Sequence, residues 1–174
     1  MSNGALVLLC GTSFSGKTTV ARAVGEQLRA CVISLDEINL RRGLHSGQGV
    51  AVIEWQRTHD IAREEARAVV EAGGLAVIDD TSSPRFLRDG WRKLASELCC
   101  VLQLVYVKAD RDTVLRRRAA NDADPARAAV RDEILSDHLD RFEPPEADEH
   151  ALVIRPGDEI RSWIGRNLSA IEDT

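Results

Sequence analysis

Glycine, lysine and hydroxyl residues stand at a fixed spacing in the stretch GTSFSGKT, residues 11–18. Gly11, Gly16, Lys17 and Thr18 satisfy the pattern G-x-x-x-x-G-K-S/T in full. In this pattern the glycines let consecutive backbone N–H groups surround a polyphosphate, the lysine reaches the outer phosphates, and the hydroxyl suits a magnesium ion. The stretch therefore predicts a phosphate-binding loop, and its expected nucleotide-binding residues are Gly11, Thr12, Ser13, Ser15, Gly16, Lys17, Thr18 and Thr19.

Carboxylates stand at the ends of two further apolar runs. CVISLD ends in Asp36, and LAVIDD ends in Asp79 and Asp80. If both runs are parallel strands, their carboxyl ends meet the phosphate loop at one edge of the sheet. Asp79 is then suited to hold magnesium or its waters, and Asp36 to accept a proton from an attacking hydroxyl. The alternative is that Asp36 and Asp80 cap the helices that follow them.

Arginines cluster beside these acids and further along the chain. Arg41 and Arg42 follow Asp36, and three consecutive arginines at 116–118 precede a polar turn and Arg127. Such runs usually form a solvated helix face. Here a hinged lid could instead lower arginines onto a transferring phosphate. Because consecutive helical residues point in different directions, at most two of the three can serve.

The elements that must position these residues alternate along the chain. Apolar runs without alternation predict strands covered on both faces, at 5–10, 31–36, 75–80, 100–107 and 150–154. Helical stretches are predicted at 17–30, 54–72, 84–98, 112–120, 126–141 and 157–170. The alternation predicts an α/β fold in which helices cover both faces of a five-stranded parallel sheet. The long loop at 41–52 is expected to line a ligand site.

Size and composition indicate one domain, residues 1–174. No apolar run approaches membrane length, and the N-terminal run leads into the phosphate loop, so we expect a cytoplasmic protein without a membrane partner. The four cysteines lack metal-site spacing and are expected to be small buried side chains in a reduced compartment. The net charge of −5 argues against broad nucleic-acid binding.

Together, GTSFSGKTT, SLDEINLRRGL, VIDDTSSPRFLRDGW and VYVKADRDTVLRRRAAN resemble the P-loop kinases of the polynucleotide 5′-kinase, chloramphenicol phosphotransferase and zeta-toxin type. The resemblance covers roughly residues 5 to 140. It implies a P-loop NTPase three-layer sandwich with a small helical lid at about 116–131, and ATP with Mg²⁺ as cofactors.

The same resemblance assigns roles to individual residues. Asp36 would be the general base, Lys17 a catalytic residue, and Asp79 a group behind the ligands of the metal. Arg118 would be the lid arginine that contacts the nucleotide, with Arg127 as a second. The expected contacts to the acceptor come from Asp36, Arg41, Arg42, Arg85 and Arg88.

Three functions compete: a kinase acting on a hydroxyl, a nucleotide hydrolase or switch, and a binding module without chemistry. GTP-dependent switches need D-x-x-G and N-K-x-D, but the chain has DDTS at 79–82 and NDAD at 121–124. An acid placed one strand away from the phosphate loop and an arginine-rich lid favour the kinase.

The acceptor is expected to be a small molecule with a hydroxyl group. Ser82 stands where polynucleotide kinases of the resembled type carry Asn, and the net charge is negative. A nucleic-acid 5′ end is the alternative, and the chain is expected to be a monomer or a homodimer. Side chains that could line the acceptor pocket, or serve the core instead, are Arg42, His45, Trp55, Arg57 and His59.

Overall fold

The computed structural model describes residues 4–45, 50–123 and 130–173. Its strands are β1 (Ala5–Cys10), β2 (Cys31–Ser34), β3 (Leu75–Asp79), β4 (Val101–Val107) and β5 (Leu152–Ile154). All pairings are parallel, in the order β2-β3-β1-β4-β5. Every residue of β1 is buried, because this strand lies in the middle of the sheet.

Helices cover both faces of this sheet. They are α1 (Lys17–Gln27), α2 (Leu35–Arg41), α3 (Val52–Glu71), α4 (Arg85–Glu97), α5 (Arg111–Ala123), α6 (Asp132–Asp140) and α7 (Ile160–Asn167), with short 3₁₀ turns at Ala147–Glu149 and Ser169–Asp173. The predicted fold class, a five-stranded parallel sheet between helices, is confirmed.

Alternate side chains of β1 enter two separate cores. Leu6 and Leu8 pack with residues of α3 and α4, whereas Val7 and Leu9 pack with residues of α1 and α7. This alternation explains why the strand is apolar at each position. A third, smaller cluster brings Phe14 of the phosphate loop together with the apolar sides of α5 and α6, through Val114, Val130 and Leu135.

The second strand is shorter than predicted, and a helix follows it at once. Ser34 caps α2, since its hydroxyl accepts a hydrogen bond from the Glu37 N–H at 3.4 Å. Asp36 and Glu37 lie in the first turn, where negative charge favours the positive end of the helix dipole. The expectation that Asp36 ends a strand is therefore wrong, because Ser34 and the two acids act as a helix start.

The cysteines are more exposed than predicted. All four are free thiols, and Cys10 alone among them is buried, in the central strand. Cys31 begins the edge strand β2 and is exposed, and Cys99 lies exposed in a turn with φ +51°. Cys100 is half-buried. Within the described ranges, every helix is too short or too polar to cross a bilayer.

Candidate active site

The phosphate loop connects β1 to α1 in a tight turn. A Cβ atom on Gly11 would lie 2.6 Å from the Val107 carbonyl oxygen and 2.8 Å from Ser15 Oγ, so no larger residue fits there. Gly16 has φ +106°, a backbone conformation that side chains rarely permit. Both glycines are thus required by the geometry of the loop.

Polar atoms of the loop converge on the start of α1. Thr12 Oγ1 and Ser15 Oγ are buried, and neither makes a hydrogen bond to any residue that the structure describes. Lys17 Nζ donates to the Thr12 carbonyl oxygen at 2.8 Å. Buried hydroxyls without partners are costly, and a helix N-terminus favours anions. These atoms therefore fit the phosphates of a nucleotide.

Thr18 and Asp79 form the part of the site suited to a metal ion. The Thr18 hydroxyl donates to Asp79 Oδ2 at 2.8 Å, and Asp79 is buried at the end of β3. Burial raises the pKa of Asp79, although the Lys17 charge and the Thr18 hydrogen bond act in the opposite direction. A hydroxyl backed by a carboxylate fits Mg²⁺ held between the protein and phosphates.

Asp36 and His138 lie close enough to this centre to interact with it electrostatically. The Asp36 side chain is exposed on α2, and its charge contributes to the raised pKa of Asp79. His138 of α6 is exposed, but partial desolvation lowers its pKa; the charges of Asp137 and Asp36 raise the pKa and that of Lys17 lowers it. The charges of Asp36 and Lys17 thus both act on the buried Asp79 carboxyl group. The sequence contains no motif that would have linked His138 to them.

Arg117 of α5 contacts the phosphate loop. Its Nη1 donates to the Phe14 carbonyl oxygen at 3.1 Å and also to that of Ser15. Arg118 instead pairs with Asp122 and Asp132. Consecutive helical residues point about 100° apart, so the two arginines face different neighbours. Arg117 thus contacts the phosphate loop and Arg118 pairs with acids. The role expected for Arg118 towards a nucleotide stays a prediction, and Arg127 lies outside the described residues.

The arginines near the second loop are held by carboxylates of α3. Arg41 Nη2 lies 2.7 Å from Glu65 Oε1, and both side chains are exposed. Arg42 pairs with Glu54 and also donates to the Thr58 hydroxyl at 2.6 Å. Arg41 is the last residue of α2, which also carries Asp36, and Arg42 is the C-cap of that helix. The role of both arginines towards an acceptor stays a prediction.

Arg85 and Arg88 face the segment 143–149. Arg85 pairs with Asp148 at 2.6 Å and with Glu146 at 2.8 Å. Arg88 is 1% exposed and forms a buried ion pair with Glu149 at 2.7 Å. A buried guanidinium needs such a partner, and an acceptor has no direct access to it. The expectation that Arg88 contacts substrate is corrected accordingly.

The aromatic candidates for the acceptor pocket are divided between surface and core. His59 is buried, and burial lowers its pKa. Trp55 is half-buried against the core that contains Leu6 and Leu8. Its ring centroid lies 6.3 Å from that of His59. Arg57 and His45 are exposed. Residues 46–49 of the long loop predicted at 41–52 lie outside the described ranges.

Comparison with known proteins identifies a family and a shared fold. The profile of the AAA domain family matches residues 6–145. No curated protein matches the chain in sequence.

Three solved structures are similar over almost the whole chain. An unliganded sugar kinase from Janibacter sp. is 19% identical, with a TM-score of 0.69, and the match covers 94% of this chain and 91% of that chain. The Mycobacterium tuberculosis APS kinase CysC, in complex with AMPPNP and APS, is 18% identical with a TM-score of 0.70, over 95% and 96% of the two chains. Chaetomium thermophilum Kti12 in complex with ADP-AlF3 is 15% identical with a TM-score of 0.75, over 95% and 98%. The predicted P-loop fold is thereby confirmed, and the narrower resemblance to the polynucleotide 5′-kinase, chloramphenicol phosphotransferase and zeta-toxin type stays a prediction.

Proposed function

This chain belongs to the AAA domain family, and from that premise we propose that it transfers the γ-phosphoryl group of ATP to a hydroxyl of a small molecule. The observation that carries the proposal is the set of atoms around the start of α1. The loop and the first turn of α1 carry two buried hydroxyls without partners in the described chain, those of Thr12 and Ser15. They also carry the Lys17 ammonium and the hydrogen-bonded Thr18–Asp79 pair. Such a set suits the outer phosphates of a nucleotide and a metal ion.

The residues of the loop would hold ATP by its phosphates. Backbone N–H groups of residues 11–18 and the Lys17 ammonium neutralise charge on the β- and γ-phosphates. Thr18 would hold Mg²⁺, with Asp79 behind it through the 2.8 Å hydrogen bond. When bound, Mg²⁺ supplies further positive charge to the phosphate oxygens.

Transfer needs a proton acceptor, and we assign this role to Asp36. The acceptor oxygen forms a bond to the γ-phosphorus while the bond from that phosphorus to the β–γ bridging oxygen breaks. The hydroxyl proton passes to the Asp36 carboxylate, and ADP leaves with the electron pair of the broken bond. Arg117, which already donates to the loop carbonyls, lies on the lid side of the same centre. Its guanidinium is suited to charge on the transferring group.

The nucleoside half of ATP has a cleft available beside α1. A cleft of about 570 Å³ lies between α1 and the start of α7, and its wall includes Thr19, adjacent to Thr18. Arg22 and Ile160 also line it. This volume lies within the usual range for small-molecule sites. We propose that the ribose and base extend from the loop towards this cleft.

Two similar structures favour a small acceptor over a nucleic-acid end. One is a sugar kinase and the other an APS kinase crystallised with APS. The negative net charge of −5 and Ser82 in place of Asn point the same way. A nucleic-acid 5′-hydroxyl stays the alternative acceptor. Residues 1–174 would form one kinase domain, acting as a monomer or a homodimer.

The test is incubation with γ-labelled ATP, Mg²⁺ and two separate pools, one of small metabolites and one of 5′-hydroxyl oligonucleotides. We expect label in a metabolite. Label in the oligonucleotides would support the alternative, and label released only as inorganic phosphate would indicate a hydrolase. Lys17→Ala should abolish transfer while the fold is kept, because the lysine contacts phosphate. Lys93→Ala, an exposed lysine on α4, is the matched control; a fully active Lys17→Ala protein would refute the proposal.

A further inference from the structure

A buried ion pair lies outside the phosphate site and joins two distant segments. Arg88 Nη2 lies 2.7 Å from Glu149 Oε1, and Arg88 Nε lies 2.7 Å from Oε2, so the pairing is bidentate. The exposed fractions of the two side chains are 1% and 0%. Glu149 belongs to the FEPPEADE segment, residues 142–149, to which the sequence assigns no chemistry. The ion pair with Arg88 therefore connects this segment to α4.

The remaining guanidinium nitrogen reaches the loop that follows β3. Arg88 Nη1 donates to the Ser82 carbonyl oxygen at 2.9 Å and to the Glu143 carbonyl oxygen at 3.0 Å. Ser82 is fully buried and has φ +48°, an uncommon conformation for a residue with a side chain. Asp80 Oδ2 accepts from the Ser82 N–H at 3.0 Å and from its hydroxyl at 3.2 Å. The loop 80–83 is therefore fixed by Asp80 from within and by Arg88 from outside.

The same loop contacts the phosphate loop directly. The Gly11 N–H donates to the Thr81 carbonyl oxygen at 3.1 Å. Cys10 Sγ donates to the Ser82 carbonyl oxygen at 3.6 Å, so that Cys10 and Arg88 share one acceptor. Asp79, which accepts from Thr18, immediately precedes the loop. A shift of residues 80–83 would consequently move the first glycine of the phosphate loop and the carboxylate behind the metal position.

The segment 142–149 also connects the end of α6 to this loop. The Glu143 N–H donates to Ser83 Oγ at 2.9 Å, and Glu143 Oε2 accepts from the Arg85 N–H at 2.9 Å. The Phe142 ring stacks on Tyr106 of β4, with centroids 5.9 Å apart. Helix α6 ends at Asp140, just before the segment. The end of α6 and the loop after β3 are therefore both held by this segment.

A purely structural role would not require these particular contacts. Buried ion pairs are weak contributors to net stability, and well-packed apolar residues often replace them without loss. Arg92 also pairs with Glu149, at 2.6 Å, and it forms a second ion pair with Asp89 on its own helix. Of the two arginines that pair with Glu149, Arg88 is the one that donates to the loop after β3.

We propose that Arg88 and Glu149 are positioning residues for nucleotide binding and phosphoryl transfer, acting through Ser82 on Gly11 and Asp79. The proposal rests on the proposed function for its consequence, and on the contacts above for its geometry. Glu149 fixes the direction of the Arg88 guanidinium, and Arg88 fixes the Ser82 carbonyl. The loop 80–83 in turn fixes the position of Gly11, the first residue of the phosphate loop.

The test compares three variants of the full chain with the wild-type protein. The double variant Arg88→Met with Glu149→Leu replaces the pair by apolar side chains, which keeps the interior filled but removes the donor to Ser82. Arg88→Lys keeps the charge, but its three N–H groups cannot replace the two bonds to Glu149 together with the two to the carbonyls. Arg92→Ala is the matched control, since it removes an ion pair to Glu149 without a contact to residues 80–83.

Two measurements separate positioning from stability. Calorimetric titration with Mg·AMPPNP should show an affinity about tenfold or more lower in the double variant and in Arg88→Lys, and unchanged in Arg92→Ala. Amide hydrogen exchange should rise about tenfold in a peptide containing Gly11, while peptides of β5 and α7 exchange as in the wild type. A cooperative thermal transition establishes that each variant is folded.

Each outcome is informative. Wild-type affinity and wild-type exchange at Gly11 in a folded double variant would overturn the positioning role. If the double variant does not fold, Arg88→Lys decides by the same two readings. Failure of the wild-type protein to bind Mg·AMPPNP would overturn the proposed function and the functional consequence, and the exchange at Gly11 would still decide whether Arg88 fixes the loop.

Discussion

The Thr18 hydroxyl donates to Asp79 Oδ2 at 2.8 Å, joining residues 61 positions apart. This hydrogen bond connects the first turn of α1 to the end of β3 and holds the Thr18 hydroxyl in one orientation. In metal sites, groups that hold a ligand in place affect both metal affinity and activity.

Asp79→Asn should therefore raise the Mg²⁺ concentration needed for activity and lower transfer by about 10–100-fold. The amide keeps the size of the side chain but removes the negative charge behind the metal position. The measurement is a Mg²⁺ titration of transfer at saturating ATP. Asp89→Asn, an exposed acid on α4, provides the control. An unchanged Mg²⁺ requirement in Asp79→Asn would exclude the residue from the metal site.

Asp36→Asn separates a kinase from a simple ATPase. Transfer to the acceptor should fall by about 10²–10⁴, the usual effect of removing a general base, while ATP affinity is retained. Slow hydrolysis by water should persist, because the loop and Lys17 still stabilise the phosphoryl group. Affinity is measured by calorimetry and transfer by label in the product.

Glu37→Gln is the matched comparison for Asp36, since both acids lie exposed in the first turn of α2. Glu37→Gln should transfer phosphate at the wild-type rate. If instead Glu37→Gln is the inactive variant, the base is Glu37. Loss of ATP binding together with transfer in Asp36→Asn would make Asp36 a structural residue.

Arg117→Ala should lower turnover about tenfold or more, with a smaller effect on ATP affinity, because a lid arginine engages the transferring group. Arg118→Ala should have a much smaller effect, since Arg118 is paired with Asp122 and Asp132. Steady-state kcat and KM for ATP distinguish the two variants. A larger loss in Arg118→Ala would show that the lid turns Arg118 onto the nucleotide.

Glu149 makes the stability of the protein depend on acidity. Hydrogen bonds from Arg88 are the largest cause that lowers the pKa of Glu149 from 4.5 to about 2. A lowered carboxyl pKa stabilises the folded state above the unfolded value, and this stabilisation is lost as the pH falls through the folded value. The wild-type advantage over Glu149→Gln should be about 3 kcal/mol above pH ~5 and should vanish towards pH ~2.

Urea unfolding at a series of pH values measures this difference. Glu146→Gln is the control, because Glu146 is an exposed neighbour in the same segment. A difference between wild type and Glu149→Gln that is constant with pH would contradict the linkage.

The sheet and the phosphate loop could be predicted because their signals are local. Runs such as ALVLLC are apolar throughout, and the spacing from Gly11 to Thr18 carries its own geometric meaning. Helix α2 was missed because CVISLD continues the apolar pattern past Ser34, although Ser34 with two acids is also a helix start.

Contacts between distant residues could not be predicted in the same way. The arginine run itself does not indicate which of Arg116, Arg117 and Arg118 contacts the phosphate loop. The direction of each side chain on α5 determines this. Arg88 and Glu149 are 61 positions apart. An arginine-rich helix and an acidic segment were both visible, but no local pattern indicates which acid meets which arginine.

The order of the strands also constrains how the protein is made. Strand β1 pairs with β3 and β4, and not with β2, the next strand along the chain. A ribosome that has released residues 1–72 has delivered the complete GTSFSGKT stretch, yet neither flanking strand of β1 has been synthesised. The Thr81 carbonyl that receives the Gly11 N–H is also still missing. Because such long-range pairing must wait for later residues, the nascent chain carries the signature of a nucleotide site well before it can form one.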